Sequence, residues 1–105
     1  MAAQASEGTV DFGYLEGFAA GDATVVREVL ILFGQQAALW AKSLDTGDPG
    51  WRDVVHTIKG AARGVGANAL GEICAMAEAG GEDGLPAVRT ALEAAVNDIQ
   101  GYLAR

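Results

Sequence analysis

From Val25 to Leu44 the apolar residues return every three or four positions: Val25, Val26, Val29, Leu30, Leu32, Phe33, Ala37, Trp40 and Leu44. This is the 3.6-residue period of a helix with one buried face, sustained for about six turns. The same period recurs in blocks separated by glycine and proline. No segment alternates apolar and polar residues as a half-buried strand would. The expected class is therefore all-α. Asp11 stands where it would cap a short helix through Tyr14, Leu15 and Phe18 that ends around Ala20-Gly21. Asp22 stands where it would cap the long helix. Asp45-Thr46-Gly47-Asp48-Pro49-Gly50 reads as a loop. A third helix is expected from near Pro49, since proline suits a first turn, to about Val65, with Gly64 and Gly66 marking its end. Asn68 is expected to cap a fourth helix from about Ala69 to Ala79, which carries Leu70, Ile73, Cys74 and Ala77 and stops at Gly80-Gly81. A fifth, from about Leu85 to Leu103, presents Val88, Leu92, Ala95, Val96, Ile99 and Leu103. Short connections favour antiparallel neighbours, so the expected architecture is an antiparallel up-and-down four-helix bundle with a short additional N-terminal helix.

The 105 residues suffice for one modest hydrophobic core. They are expected to form a single domain over 1–105, with residues 1–9 a loose tail and 10–105 the bundle. A formal net charge of −7 removes any general attraction for nucleic acid or for an anionic membrane surface. With one cysteine, Cys74, no disulfide can form within the chain, and one cysteine with one histidine offers no zinc-type ligand set. Val29 to Phe33, the longest strongly apolar stretch, is far too short to span a bilayer. Met1 to Thr9 has neither the positive charge nor the apolar run of a signal peptide. A cytoplasmic location is the expectation.

The third helix has an unusual outer face. At about 100° per residue, Trp51, Val54, Val55, Ile58, Ala62 and Val65 share one arc, and His56 falls roughly opposite it. Arg52, Lys59 and Arg63 lie on the same outer side as the histidine, so three of the seven basic residues of an acidic chain gather there. Gly60, one turn beyond His56, removes the side chain that would shield the imidazole. Mid-helix glycine costs roughly 1 kcal/mol relative to alanine, so some benefit should offset it. Two readings stand at this point: an ordinary solvated face, or a site that draws an anion such as phosphate to Arg52, Lys59 and Arg63. If the turn after this helix is centred near Ala67, His56 and Glu78 are each eleven residues from it and lie at the same height. Glu78 flanks the apolar face of its own helix. It is either a plain surface carboxylate or a group that holds one imidazole N–H and makes the other nitrogen more nucleophilic.

The run His56-Thr57-Ile58-Lys59-Gly60-Ala61-Ala62-Arg63-Gly64-Val65-Gly66-Ala67 closely resembles the histidine-containing phosphotransfer (HPt) family. The shared frame is His-x-x-Lys-Gly, two small residues, an apolar residue, and glycine ten positions after the histidine. Leu70, Cys74 and Glu78 continue the resemblance downstream, as do Asp22 and the helix through Phe33 upstream. The resemblance implies a four-helix bundle whose exposed histidine is phosphorylated and dephosphorylated by partner proteins. His56 would be the phosphoacceptor, Lys59 would neutralise the phosphoryl charge, and Gly60 would leave space for docking. Glu78 occupies a position where the family often places a Gln or an acid on the imidazole. Ala61 and Ala62 stand where serine-type residues are commoner, so a hydroxyl contact is missing that Arg63 would replace. Arg52 would bear on partner choice.

Neutral imidazole is a fair nucleophile, and transfer from an aspartyl phosphate depends mainly on positioning and charge neutralisation. The sequence contains no nucleotide-cradling glycine loop and no acidic magnesium site. The expectation is a monomeric phosphoryl carrier without a cofactor of its own, its magnesium and aspartate supplied by receiver domains, with a hybrid histidine kinase as a further partner. Two rivals remain: a helical interaction module without phosphotransfer, and a dimerisation and phosphotransfer domain of histidine-kinase type. A hydrolase is disfavoured, because no Ser or Cys pairs with the one histidine.

Overall fold

A computed structural model describes residues 10–45 and 48–105. The proposed tail at 1–9 and the middle of the loop at 46–47 lie outside the described residues. Five α-helices follow in order: α1 Phe12–Phe18, α2 Ala23–Asp45, α3 Trp51–Val65, α4 Asn68–Gly80 and α5 Leu85–Leu103, with a 3₁₀ turn at Glu82–Gly84 before the last. Among the described residues there is no strand. Helices α2 to α5 pack each against the next, and α5 closes back on α2. The α3–α4 pair is the most extensively joined, and α1 lies against α2 and α3.

Side-chain caps start the first two helices. Asp11 Oδ1 accepts the Tyr14 amide at 3.1 Å, and Asp22 Oδ1 accepts those of Thr24 and Val25 at 3.1 and 3.2 Å. Helix α3 begins two residues later than expected. The Pro49-Gly50 turn is closed by Asp48, whose carboxylate accepts the Gly50 amide and whose carbonyl accepts that of Trp51. Asn68 is the first residue of α4 and not its cap, because the preceding turn is tighter than the sequence suggested. Gly66 adopts a left-handed conformation (φ 86°), and the Ala67 amide bonds back to the Ala62 carbonyl at 2.8 Å. That closure leaves the wholly buried Ala67 as the cap.

Leu30, Ile58, Leu70, Leu92 and Ile99 are essentially inaccessible and come one or more from each long helix. Each contributes roughly 1.5–3 kcal/mol by leaving water. On α2 the apolar stripe is wider than the face its neighbours cover: Val26, Leu30, Phe33, Ala37 and Leu44 are buried, whereas Val25 and Leu32 remain 40% and 58% exposed. Val25, Leu32 and Leu39 form a second, uncovered row seven residues apart on the flank of α2.

The N-terminal segment is pinned to the α3–α4 turn. The Asp11 amide donates to the Gly66 carbonyl at 2.8 Å, and Val10 is buried with its amide on Asp98 Oδ2. A β-carbon at Gly66 would lie 2.6 Å from the Asp11 carbonyl oxygen, in addition to the strain of its positive φ. Gly66→Ala is therefore expected to destabilise the fold by about 2 kcal/mol or more. Gly64→Ala faces open space within a helix and should stabilise by about 0.5–1 kcal/mol. Urea unfolding of the two variants checks the pair, and similar effects from both would contradict this account of the turn.

Candidate functional site

The candidate residues lie on the outer edge of the α3–α4 seam. Val55 and Ile58 are wholly buried, so the helix turns His56 outward and leaves its side chain 69% exposed. On α4, Cys74 and Ala77 face the core, and Glu78, next to Ala77, lies where the two helices meet. Small residues are buried on both helices, Ala62 on α3 and Gly71, Cys74 and Ala77 on α4, which suits a close approach of the two. Glu78 can then reach α3.

His56, Lys59, Arg52 and Glu78 come together there. Glu78 Oε2 lies 2.9 Å from His56 Nδ1, and Glu78 Oε1 lies 2.5 Å from Lys59 Nζ. Arg52 donates from its guanidinium to the main-chain carbonyl of Glu78 and lies over the Trp51 ring. The side chain of Glu78 is only 21% exposed. The hydrogen bond from Lys59 holds its carboxyl below the usual range; partial burial opposes this, and His56 adds to it. Glu78 is thus a carboxylate at neutral pH and can only accept. Its contact assigns the proton of a neutral imidazole to Nδ1 and leaves Nε2 with a free lone pair. One turn away Cys74 is inert, its thiol pushed up to about 11 by burial and by the Glu78 charge.

Arg63 is not part of this cluster. Its stem runs over Gly71 of α4, where a β-carbon would lie 3.1 Å from Arg63 Cγ. It is seven residues, or roughly 10 Å along α3, from the histidine. Gly60 is exposed, and a β-carbon there would meet nothing within 4 Å, as at Gly64. The fold itself does not require either glycine, and with His56 they form one i, i+4, i+8 row. Beside this row is a feature that sequence reasoning missed: an open apolar groove of about 330 Å³ between α2 and α3, lined by Leu32, Gln36, Trp40, Ala61 and Gly64 among others. The signal that could have found it is the apolar Val29, Leu32, Phe33 and Trp40 on one flank of α2 opposite the small Ala61 and Gly64 of α3.

Among the described residues, no group of three or more His, Cys, Asp or Glu side chains could hold a metal ion. Nor is any described helix long and apolar enough to cross a membrane.

The family model of the Hpt domain matches residues 35–102, which contain the whole cluster, and the chain belongs to that family. It is a histidine phosphotransfer protein of a two-component phosphorelay, a phosphoryl carrier and not an autonomous kinase or phosphatase. Among solved structures it is similar to the histidine phosphotransferase ShpA from Caulobacter crescentus, with 64% identity over 90% of each chain and a TM-score of 0.84. No curated protein matches it. Hpt domains as a class interact with receiver domains and hybrid kinases.

The depressed titration of Glu78 has a consequence for folding. A carboxyl held low in the folded state stabilises the protein above its ordinary value of 4.5 and ceases to do so as pH falls through the lower, folded-state value. The stability difference between wild type and Glu78→Gln, measured by urea unfolding, should be present at pH 5 and shrink progressively as pH falls below 4.5. A difference that persists unchanged at pH 3 would place the effect of Glu78 elsewhere.

Proposed function

We propose that His56 takes up the phosphoryl group through Nε2 and passes it on. The observation that carries this reading is the Glu78 carboxylate on Nδ1 of an imidazole that is otherwise exposed. Nε2 attacks the phosphorus of an aspartyl phosphate on a receiver domain. The P–O bond to the aspartyl carboxylate breaks, its electron pair remains on that carboxylate, and the ring proton stays at Nδ1 against Glu78. Lys59, one turn away, neutralises the phosphoryl charge. Arg63 acts at longer range, and Arg52 fixes the height of Glu78 while facing the partner. The partner supplies the metal that balances charge at its own aspartate.

The partner docks over α3 and the neighbouring flank of α2. Gly60 and Gly64 admit it next to the imidazole, and Leu32, Trp40 and the groove between the helices give it an apolar footing. An exposed apolar row of this kind suits a transient interface of modest area. The described chain acts as one unit and as a monomer in the cytoplasm, with neither nucleic acid nor membrane as partner. A mass of one chain by light scattering is the expected result; an obligate dimer would favour the kinase-type dimerisation domain.

The direct test is incubation with a radiolabelled phospho-receiver. Wild type should acquire an acid-labile, base-stable label, and His56→Gln should acquire none; equal labelling would contradict the assignment. Gly60→Val should keep the fold yet slow transfer by on the order of tenfold or more, since a misplacement of about 1 Å costs that much. An unchanged rate would remove Gly60 from the docking surface.

A further inference from the structure

We propose that Glu78 exchanges its counter-cation during the phosphoryl cycle: Lys59 in the resting protein, the protonated ring of phospho-His56 once Lys59 has turned to the phosphoryl group. This rests on His56 as the acceptor. One carboxylate serves two partners, the Lys59 ammonium with Nζ 2.5 Å from Oε1 and the His56 ring with Nδ1 2.9 Å from Oε2. The Glu78 side chain is four-fifths covered, and leaving such a carboxylate unpaired is costly. Lys59 can therefore leave only if another positive charge takes its place. Phosphorylation supplies one. A ring that is neutral, with its proton at Nδ1, becomes cationic when Nε2 bonds to phosphorus, and that proton already faces Oε2. The same event places a dianionic group beside the Lys59 ammonium.

The remaining charged groups around Glu78 do not substitute. On α3, Arg52 is committed to the Glu78 main-chain carbonyl and Arg63 to the surface over Gly71. On α4 the Cys74 thiol is neutral. The 3₁₀ turn that follows α4 adds only Glu82 and Asp83, of the same sign.

The consequence is chemical. While Glu78 keeps the proton on Nδ1, cleavage of the P–Nε2 bond returns the electron pair to Nε2 and releases a neutral imidazole, a good leaving group. The phosphoryl goes to a receiver carboxylate or to water. An amide at position 78 can still accept from Nδ1–H and orient the ring, but it lacks the charge that retains the proton, and the P–N bond then breaks more slowly. Glu78 is a positioning residue that also sets the lifetime of the phosphorylated state.

The test uses phosphoramidate, which gives its phosphoryl group to an imidazole nitrogen and leaves as ammonia, so no partner protein is needed. Uniformly ¹⁵N-labelled wild type, Glu78→Gln and Lys59→Gln are phosphorylated and followed at pH 8, with backbone amide spectra verifying the fold of each. Phosphorylated wild type should show a proton on His56 Nδ1, and Glu78→Gln should not. The phosphohistidine half-life of Glu78→Gln should be about tenfold longer or more, the scale of removing an adjacent opposite charge. Before phosphorylation, Lys59→Gln should keep both ring protons to a higher pH than wild type, because Glu78 then has no other cation. Identical Nδ1 protonation and half-lives within twofold in wild type and Glu78→Gln would overturn the exchange. Failure of a phospho-receiver to label His56, with these results intact, would count against the receiver reading alone.

Discussion

The contact between α3 and α4, the most extensive between any two helices of the bundle, sets the register of the residues on its outer edge. Its small side chains bring the two helices close, and its closing turn admits only glycine at Gly66, where a left-handed backbone and the Asp11 carbonyl leave no room for a β-carbon. A looser turn would let α4 slide or rotate against α3. Glu78 would then lose its place beside His56 and Lys59, since a shift of one residue along a helix is about 1.5 Å, roughly half the length of a hydrogen bond. The N-terminal segment is held to the same turn by Asp11 and to α5 by Val10 and Asp98, and so braces it.

The division of labour across α3 follows from this. Its inner face (Val55, Ile58, Ala62) fills the core, one flank meets α4 and carries the cations and the histidine, and the other faces α2 and opens into an apolar groove. A carrier must expose its reactive nitrogen while restraining the ring that bears it. Here the restraint comes from one carboxylate at the edge of the seam and the exposure from the helix phase, while Gly60 and Gly64, which the fold does not otherwise need, leave the surface beside the ring open. The acidic balance of the chain sharpens the local contrast, because the α3 flank holds three of its seven basic residues.

The helical class, the five segments and the outward phase of His56 were all legible in the sequence, because burial of Val55 and Ile58 fixes the phase of everything between them. Counting outward from the turn put His56 and Glu78 at one height; their side chains do meet, since so tight a turn leaves little slack in register. Spacing could not show how one carboxylate divides its two oxygens between Lys59 and His56. The i+7 step to Arg63 leaves it on the same face but too far along the axis to join the cluster. The width of the α2 stripe misled for a different reason: apolar residues mark what water disfavours, not what the rest of the chain is able to cover, and Val25 and Leu32 remain outside. At Asn68 a favourable capping residue was displaced by one position because the Ala62 carbonyl had already claimed the Ala67 amide.

The proposed division gives Nδ1 of His56 to Glu78 and Nε2 to the phosphoryl group. It is tested most directly by ³¹P–¹⁵N coupling in ¹⁵N-labelled protein phosphorylated by a receiver domain. The expected result is a single phosphoramidate resonance whose one-bond coupling runs to His56 Nε2. Coupling to Nδ1, or a resonance of an acyl phosphate on a carboxylate of this chain, would contradict it.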